Sequence, residues 1–366
     1  METADFLIIG GGIAGLSSAA RLARHGRVVV LEAEEALGYH ASGRSVSFSH
    51  YGIGNATVRA MTAYSRPFFA PPLARAFPTL YFAGEAELPR LDALAADMAP
   101  FTDEARLIDA AEMTALFPPL RTGKGGAVRG LIDPTGLKLD ADLILQTFAR
   151  EIRGAGGAVL TGRRVTAVEP GWSVTMTTGE TFAAPVLINA AGAWADDIAV
   201  RAGVAPLSLA PKRRTIVVVD PPAGAQADDW PFVHSLAGDF YMLPEAGRLL
   251  VSPVDEVPDG PGDAQPDDYD IALAVDRLEH YTTIAVPRVA RRWAGLRTFA
   301  PDRVPTAGFA ADAPCFFWLA GQGGYGFQTA PAMAAIAEAL ITGASWPKGL
   351  AELGVRVEQV APERAA

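Results

Sequence analysis

Residues 6–15 of this chain read FLIIGGGIAG, and this stretch decides the fold. Its four apolar residues predict a buried parallel strand, and the glycines that follow have the spacing G-x-G-x-x-G. Residues 16–25 have a helical pattern, and a second apolar run, Val28–Leu31, ends at the acid Glu32. The order of strand, glycine loop, helix, strand and acid predicts a Rossmann-type βαβ unit that binds a dinucleotide.

Each part of this motif has a physical reason. Gly10 permits the tight turn, Gly12 lets the backbone approach a pyrophosphate, and Gly15 allows the helix to pack closely. The helix N-terminus offers free N–H groups and the positive end of its dipole to phosphates. Glu32 follows about 20 residues on and can accept hydrogen bonds from a ribose diol. The motif alone does not distinguish NAD from FAD.

The composition describes a globular chain with an acidic balance. Of its 366 residues, 50% are hydrophobic and 20% are charged, which allows a large core. A net charge of −10 argues against nucleic acid and anionic lipid as partners. The single cysteine, Cys315, excludes an intrachain disulfide. Because the sequence also shows no secretory signal and no apolar run long enough for a membrane span, we expect a cytoplasmic protein.

Three later segments favour FAD over NAD. The polar loop 38–45, GYHASGRS, can supply hydroxyl, N–H and guanidinium donors to a pyrophosphate and a flavin. A strand within 186–194 runs into small residues, which let a cofactor lie against the backbone. Residues 316–328 read FFWLAGQGGYGFQ and precede a helix predicted from about Ala330, whose N-terminus can face the flavin. We therefore predict FAD as the cofactor.

The order of these motifs resembles that of a known family. GGGIAG, GYHASGRS, NAAGAW, WAGLRTF, APDRVPTAGF and GQGGYGFQTAP follow one another as in the D-amino-acid oxidase-type FAD oxidoreductases, and most closely as in the bacterial D-arginine dehydrogenase-like branch. The resemblance extends from about residue 5 to about residue 343. It implies a mixed α/β fold, in which a Rossmann-type FAD-binding domain of the glutathione-reductase-like kind is combined with a discontinuous, mixed-sheet substrate domain.

The expected domains are therefore interrupted along the chain. The FAD-binding domain is predicted to take residues 1–75, 140–205 and 291–366, and the substrate-binding domain residues 76–139 and 206–290. Strands of the substrate sheet are predicted at 79–83, 215–219 and 240–243, where apolar and β-branched residues cluster. The polar stretch from about Val357 is expected to fray.

The resemblance also implies which residues contact FAD, without a covalent bond. By motif, contacts with FAD fall at Gly10, Gly12, Ile13, Ala14, Gly15, Glu32, Arg44 and Ser45. Gly192 lines the pyrophosphate path, and Val165 contacts the adenine through its backbone. Those around the flavin fall at Gly295, Gly324, Tyr325, Gly326 and Phe327. His40 lies in the loop 38–45 and is expected to be satisfied by hydrogen bonding.

A carboxylate substrate is expected to bind to arginine. The planar guanidinium matches two carboxylate oxygens, and the resemblance places such arginines at Arg214 and Arg297, with a tyrosine hydroxyl at Tyr241 and Gly324 beside the substrate. The neighbouring basic residues, Lys212 and Arg213, are expected to be structural or on the surface. Neither a metal-ligand spacing nor a catalytic base can be identified, and His50 and Tyr51 are expected to have loop or core roles.

The chain departs from the D-arginine dehydrogenase pattern around the substrate. The family's histidine falls at Phe48, its lid tyrosine at Ile53, and its guanidinium-binding glutamate near Thr79. A buried guanidinium without an acid partner would cost several kcal/mol. We therefore expect a more apolar pocket, with Phe48 and Ile53 in its wall, and a neutral or hydrophobic substrate.

The leading hypothesis is a D-amino acid dehydrogenase or oxidase. Hydride transfer from Cα to flavin N5 would give an imino acid, which water hydrolyses to a 2-oxo acid and ammonia. Three alternatives stay open: an N-methyl or secondary-amine amino acid oxidase of the sarcosine-oxidase type, a 2-hydroxy acid dehydrogenase, and a non-catalytic flavin-binding module. The electron acceptor, whether oxygen, a quinone or a dye, and the oligomeric state are not predicted.

Overall fold

The fold is given by a computed structural model that describes residues 1–169 and 171–364. Its strands, in chain order, are β1 (Glu2–Thr3), β2 (Phe6–Ile9), β3 (Val28–Leu31), β4 (Phe48–Ser49), β5 (Ala74–Ala76), β6 (Thr79–Ala83), β7 (Arg106–Asp109), β8 (Arg129–Asp133), β9 (Leu137–Leu139), β10 (Ala158–Leu160), β11 (Val165–Glu169), β12 (Ser173–Met176), β13 (Thr181–Ala183), β14 (Val186–Asn189), β15 (Ala210–Val219), β16 (Phe232–Ser235), β17 (Tyr241–Glu245), β18 (Arg248–Ser252), β19 (Val257–Pro258), β20 (Arg291–Phe299), β21 (Thr306–Ala310) and β22 (Ala313–Ala320). Its helices are α1 (Ile13–Leu22), α2 (Ala56–Ser65), α3 (Leu88–Met98), α4 (Ala110–Leu116), α5 (Ala141–Gly154), α6 (Ala195–Arg201), α7 (Asp268–Tyr281), α8 (Gly326–Thr342) and α9 (Lys348–Glu352).

A six-stranded sheet carries the predicted βαβ unit. Its strand order is β10-β3-β2-β14-β22-β21, and all neighbours are parallel except β21 and β22. All four residues of β2 are buried because helices cover one face of the sheet and a second sheet, β1-β13-β12-β11, packs against the other. This arrangement confirms the Rossmann-type fold.

The turn between β2 and α1 is built on close backbone contacts. Gly10 has φ of +112°, and a Cβ there would lie 2.3 Å from the carbonyl oxygen of Ala190. A Cβ at Gly15 would lie 2.0 Å from the carbonyl oxygen of Gly10. The helix begins at Ile13, earlier than predicted, because the chain passes directly from the glycine loop into its first turn.

Helix α8 lies in the core beside α1 and α2. Its start was wrongly predicted near Ala330, since the structure begins it at Gly326. The N–H groups of a first helical turn have no acceptor within the helix, so residues 326–329 can form the first turn of α8 although their sequence, GFQT, is not typical of a helix. The helix ends at Thr342, and Gly343 follows it with φ of +70°, the left-handed cap that glycine favours. None of the helices in the described part of the chain is long and apolar enough to cross a membrane.

A nine-stranded mixed sheet forms the other large layer. Its order is β19-β15-β18-β17-β16-β6-β8-β7, with β20 paired to β15, and α4 and α7 contribute to the core on one of its faces. The three predicted substrate-sheet strands overlap β6, β15 and β17, which all lie in this sheet. Strand β20, which the predicted boundaries assign to the FAD-binding domain, pairs with β15 from Arg291 to Phe299. The domain boundaries stay a prediction.

The end of the described chain is docked, so the expectation of a frayed tail was wrong up to residue 364. Val360 is fully buried, and its carbonyl oxygen accepts a hydrogen bond of 2.9 Å from the N–H of Ala307 in β21. The Nε of Arg364 donates to Asp302 Oδ2 at 2.9 Å. The polar sequence did not reveal this docking, because two buried residues, Val360 and Pro362, and the hydrogen bonds of Arg364 are enough to hold the segment.

Candidate active site

One cavity of about 930 Å³ brings the predicted site residues together. It lies at the upper end of the roughly 300–1,000 Å³ range of small-molecule sites. All the predicted residues line it except Gly15, which packs against the glycine turn behind the wall. The predicted members on the wall are Gly10, Gly12, Ile13, Ala14, Glu32, Arg44, Ser45, Phe48, Ile53, Val165, Gly192, Arg214, Tyr241, Gly295, Arg297, Gly324, Tyr325, Gly326 and Phe327.

At the dinucleotide end, Glu32 closes the strand β3. Its Oε2 accepts a hydrogen bond of 2.7 Å from the N–H of Gly11, and its Oε1 accepts one of 2.9 Å from the N–H of Glu34. Burial raises the pKa of Glu32, although these N–H donors oppose the shift. The carboxylate therefore ties two loops together at the point where the motif places a ribose.

The N-terminus of α1 provides a cradle that fits a pyrophosphate. Of its first-turn N–H groups, that of Ile13 donates to Ser42 Oγ at 3.0 Å, and Gly12 and Ala14 line the cavity beside it. A Cβ at Gly12 would meet only the Ser42 hydroxyl, at 3.3 Å, so the backbone is open to a ligand. Sequence reasoning missed Ser42, although it lies within the quoted loop 38–45. These residues fit FAD. Gly326, at the N-terminus of α8, lines the same cavity and offers a second helix N-terminus to the cofactor.

Two residues of the loop 38–45 bond to protein groups. The Nη1 of Arg44 donates to the carbonyl oxygens of Ala264 and Ala294, at 3.0 and 3.1 Å, and its Nη2 pairs with Asp263. Its contact with FAD stays a prediction. His40 Nε2 lies 3.1 Å from Glu34 Oε1, which is the kind of hydrogen bond expected, whereas its Nδ1 is buried without a partner among the described residues.

Arg214 and Arg297 lie on neighbouring strands of the nine-stranded sheet. Arg214 of β15 is opposite Gly295 of β20, and Arg297 is two residues further along, so both side chains leave the same face. The Nε of Arg214 donates to the carbonyl oxygen of Asp255 at 2.8 Å. Burial lowers the pKa of Arg297 to about 10, which still leaves it charged at neutral pH. We call these two residues the arginine pair.

Glu256 holds the arginine pair and was missed from the sequence. Its Oε1 accepts a hydrogen bond of 2.7 Å from Arg297 Nη2 and lies 3.6 Å from Arg214 Nη2. Burial favours the neutral acid, but the hydrogen bond from Arg303 and the charges of the arginine pair outweigh it and lower the pKa of Glu256. Nothing in the sequence marks this acid, because the strand order that brings it to the arginines is nonlocal.

An aromatic pocket borders the arginine pair. We define it by Phe48, His50, Tyr81, Phe232, His234 and Tyr241, all of which line the cavity. His50 Nδ1 lies 2.5 Å from the Tyr81 hydroxyl, and the ring of His234 lies 4.1 Å from that of Phe232. Burial lowers the pKa of His50 to about 3 and that of His234 well below its ordinary value. Both imidazoles are therefore neutral at physiological pH.

Sequence reasoning missed His234 and Phe232 because their place depends on strand pairing. Strand β16 runs parallel to β6, and this register sets His234 beside Tyr81. No motif surrounds either residue in the sequence.

None of the acids on the cavity wall belongs to the six residues of the aromatic pocket, although Glu256 contacts the adjoining arginine pair. Those on its wall within the described residues are Glu32, Glu34, Asp197, Glu256 and Asp302. Thr79, where the resemblance loosely places a guanidinium-binding acid, is fully buried in β6, opposite Asp133, and is not on the cavity wall. The described residues also contain no cluster of three His, Cys, Asp or Glu side chains that could hold a metal ion.

Solved structures share this fold over nearly the whole chain. The L-alpha-glycerophosphate oxidase from Mycoplasma pneumoniae, solved with FAD bound, superposes with a TM-score of 0.84 at 21% identity, covering 93% of this chain and 95% of that one. The L-proline dehydrogenase from P. horikoshii superposes with a TM-score of 0.81 at 22% identity, covering 99% and 98%. At these identities the likeness establishes the fold.

A curated relative and a family model add a sequence match. Glycerol-3-phosphate dehydrogenase 1 of Mycobacterium tuberculosis (strain ATCC 25618 / H37Rv) is 29% identical over 336 residues, which cover 80% of this chain and 62% of the relative. The chain thus spans less than two thirds of that relative's length. The D-arginine dehydrogenase-like branch stays a prediction. The model of the DAO family, FAD dependent oxidoreductase, matches residues 5–340. The chain therefore belongs to the DAO family of FAD-dependent oxidoreductases.

Proposed function

We propose that this chain oxidises a neutral or hydrophobic D-amino acid at its Cα–N bond. The product is an imino acid, which water hydrolyses to a 2-oxo acid and ammonia. One observation carries this proposal: the arginine pair, in which Arg214 is buried and Arg297 is half-buried, opens onto an aromatic pocket whose six defining residues include no acid. The cations suit a carboxylate, and the pocket suits an uncharged side chain.

The arginine pair and Tyr241 would hold the substrate carboxylate. Arg214 lies with its guanidinium carbon 5.9 Å from the centre of the Tyr241 ring, so the three side chains share one corner of the cavity. Gly324 leaves room there, because a Cβ at this position would lie 2.6 Å from Arg297 Nη1. A carboxylate held by two arginines cannot rotate freely, which fixes the direction of Cα.

The apolar wall would select the substrate side chain. Phe48 stands where the D-arginine dehydrogenase pattern has a histidine, and its ring lies 4.5 Å from that of Phe232. A guanidinium or ammonium group in this pocket would be desolvated without an acid partner, at a cost of several kcal/mol. Burial of an aliphatic or aromatic side chain in the same pocket would stabilise the complex by about 25 cal/mol per Å² of apolar surface removed from water.

The pocket supplies no base of suitable strength for the amine. An effective general base has a pKa near the working pH, whereas that of His50 is about 3 and that of His234 is also far below its ordinary value. We propose that solvent removes the proton before the amine enters. The bound FAD supplies the acceptor for the hydride, and the residues of the cavity hold, orient and desolvate the substrate.

The test is an anaerobic screen of flavin reduction on the purified protein. D-Leu, D-Phe and D-Met are expected to bleach the flavin faster than D-Arg and D-Lys, with a 2-oxo acid and ammonia as products. Arg297→Gln should stay yellow but lose this reduction, while Arg291→Gln, on an exposed position of the same strand, should keep it. Faster bleaching by the basic pair, an L-amino acid, a 2-hydroxy acid or glycerol 3-phosphate would overturn the proposal.

An N-alkyl amino acid is the second candidate. Rings of Phe48, Phe232 and Tyr241 surround one corner of the pocket, and aromatic rings of this kind stabilise alkylated ammonium groups. The same screen separates the two candidates, because an N-methyl substrate releases methylamine and a primary amine releases ammonia.

A further inference from the structure

The carboxylate of Glu256 lies where a ligand's anionic group would bridge the arginine pair. Its Oε1 is 2.7 Å from Arg297 Nη2 and 3.6 Å from Arg214 Nη2. One oxygen between two guanidinium groups is the arrangement that a substrate carboxylate would adopt. Glu256 therefore occupies the position of an anion between the two guanidinium groups.

The second oxygen of Glu256 has separate partners. Oε2 hydrogen-bonds Arg303 Nη2 and lies 3.8 Å from Lys212 Nζ. Four cations thus surround one carboxylate, and those bound to Oε2 are not the arginine pair. Glu256 can lose its contacts through Oε1 and keep a charged partner.

The backbone beside Glu256 is fixed, so that only the side chain has to move. Both carboxylate oxygens of Asp255 accept hydrogen bonds from Thr215, at 2.7 Å from its N–H and 2.9 Å from its hydroxyl. The carbonyl oxygen of Asp255 accepts from Arg214 Nε. These bonds anchor the segment to β15.

Arg297 has capacity for a further anion. Its Nε is buried and has no hydrogen-bond partner among the described residues. A buried donor without a partner is costly, so an acceptor at this place would be strongly favoured.

We propose that Glu256 is a specificity-determining residue that competes with the ligand's anionic group for the arginine pair. A ligand carboxylate replaces Oε1 on Arg297 and Arg214, and the Glu256 side chain rotates onto Arg303 and Lys212. Ligands without an anionic group cannot displace it, so the site rejects simple amines. This inference rests on the proposed function, because it takes the arginine pair to be the carboxylate clamp.

The experiment is titration calorimetry of the FAD-loaded protein with phenylacetate and with its neutral analogue phenylacetamide. Glu256→Gln is expected to bind phenylacetate about tenfold more tightly, because a competing charge is removed. Glu245→Gln is the matched control: it makes the same change in an ion pair with Lys138 that lies outside the cavity, and it should leave the Kd unchanged. Phenylacetamide should bind weakly to all three proteins.

Arg303→Gln gives a second, opposite expectation. Without Arg303, Glu256 stays on the arginine pair, so phenylacetate should bind several-fold more weakly. In the double variant, Glu256→Gln with Arg303→Gln, this loss should disappear. If Glu256→Gln does not fold, the comparison of wild type with Arg303→Gln decides: weaker binding supports the competition, and equal or tighter binding overturns it.

Unchanged or weaker binding of phenylacetate by folded Glu256→Gln overturns the inference, since a residue that merely positions Arg297 would give that result. If neither the wild type nor Glu256→Gln binds phenylacetate, the inference is overturned as well. The variant Arg297→Gln distinguishes failure of this inference from failure of the proposed function. If Arg297→Gln binds phenylacetate like the wild type, the clamp and the proposed function both fail. If it loses binding while Glu256→Gln gains none, this inference alone fails.

Discussion

Lowering the pH from 7 to 5 is expected to destabilise the fold through His50. Burial lowers the pKa of this imidazole from 6.5 to about 3, and the positive charge of Arg59 adds to the shift. At pH 5 the unfolded chain therefore binds a proton at His50 that the folded chain does not. Stability from this group is complete above pH 6.5 and is lost as the pH falls towards 3.

The magnitude follows from the distance to the unfolded pKa. At pH 5 this distance is about 1.5 units, and each unit corresponds to about 1.36 kcal/mol, so His50 alone removes about 2 kcal/mol of unfolding free energy. His234, whose pKa is also lowered by burial, acts in the same direction. Carboxylates contribute their own pH dependence, and a comparison with His50→Gln removes that background.

The assay is thermal unfolding of wild type and His50→Gln at pH 7 and pH 5, with excess FAD present. The midpoint of the wild type should fall by about 3 °C more than that of the variant, because an unfolding entropy of about 2.1 cal/mol/K per residue gives roughly 1.3 °C per kcal/mol for a chain of 366 residues. The comparison uses the difference between the two pH values, so a constant loss from breaking the Tyr81 hydrogen bond cancels. Equal falls in the two proteins would refute a buried, neutral His50.

Three further substitutions test the site. Gly10→Ala should lose bound FAD, because its Cβ would lie 2.3 Å from the Ala190 carbonyl oxygen and its φ is +112°. Gly154→Ala is the control, since a Cβ there has nothing within 4 Å, and it should keep a full FAD content as measured by flavin absorbance. Gly324→Ala should keep FAD but raise the KM of the reactive amino acid about tenfold, because its Cβ meets Arg297 Nη1 at 2.6 Å and displaces the guanidinium; an unchanged KM would contradict the clamp. Arg297→Lys should raise that KM roughly 10- to 100-fold, since an ammonium cannot reproduce the planar fork, and steady-state kinetics beside Arg291→Lys would reveal it.

The sequence by itself determined the cofactor and the family, because these depend on local motifs. The glycine spacing, the strand before it and Glu32 all fall within one βαβ unit, where backbone conformation follows from nearby residues. The later glycine segments have the same property, and the cavity wall contains nearly all the residues that they predicted. The helix start at Gly326 and the docked tail differed from expectation, since first-turn and tail residues are selected by tertiary contacts more than by propensity.

Only the tertiary structure decided which further side chains surround the predicted arginines. Arg214 and Arg297 are 83 positions apart in the chain and meet because β15 and β20 pair in one register. His234 reaches Tyr81 through the pairing of β16 with β6, and Glu256 reaches the arginine pair from a loop with no distinctive sequence. The family resemblance predicted Arg214 and Arg297 beside the substrate, but no motif could have placed His234 and Glu256 there, because strand pairing has no local signal beyond alternation. The charged and aromatic side chains around the arginine pair therefore follow from strand register, whereas the glycine-rich segments that predict FAD follow from spacing along the chain.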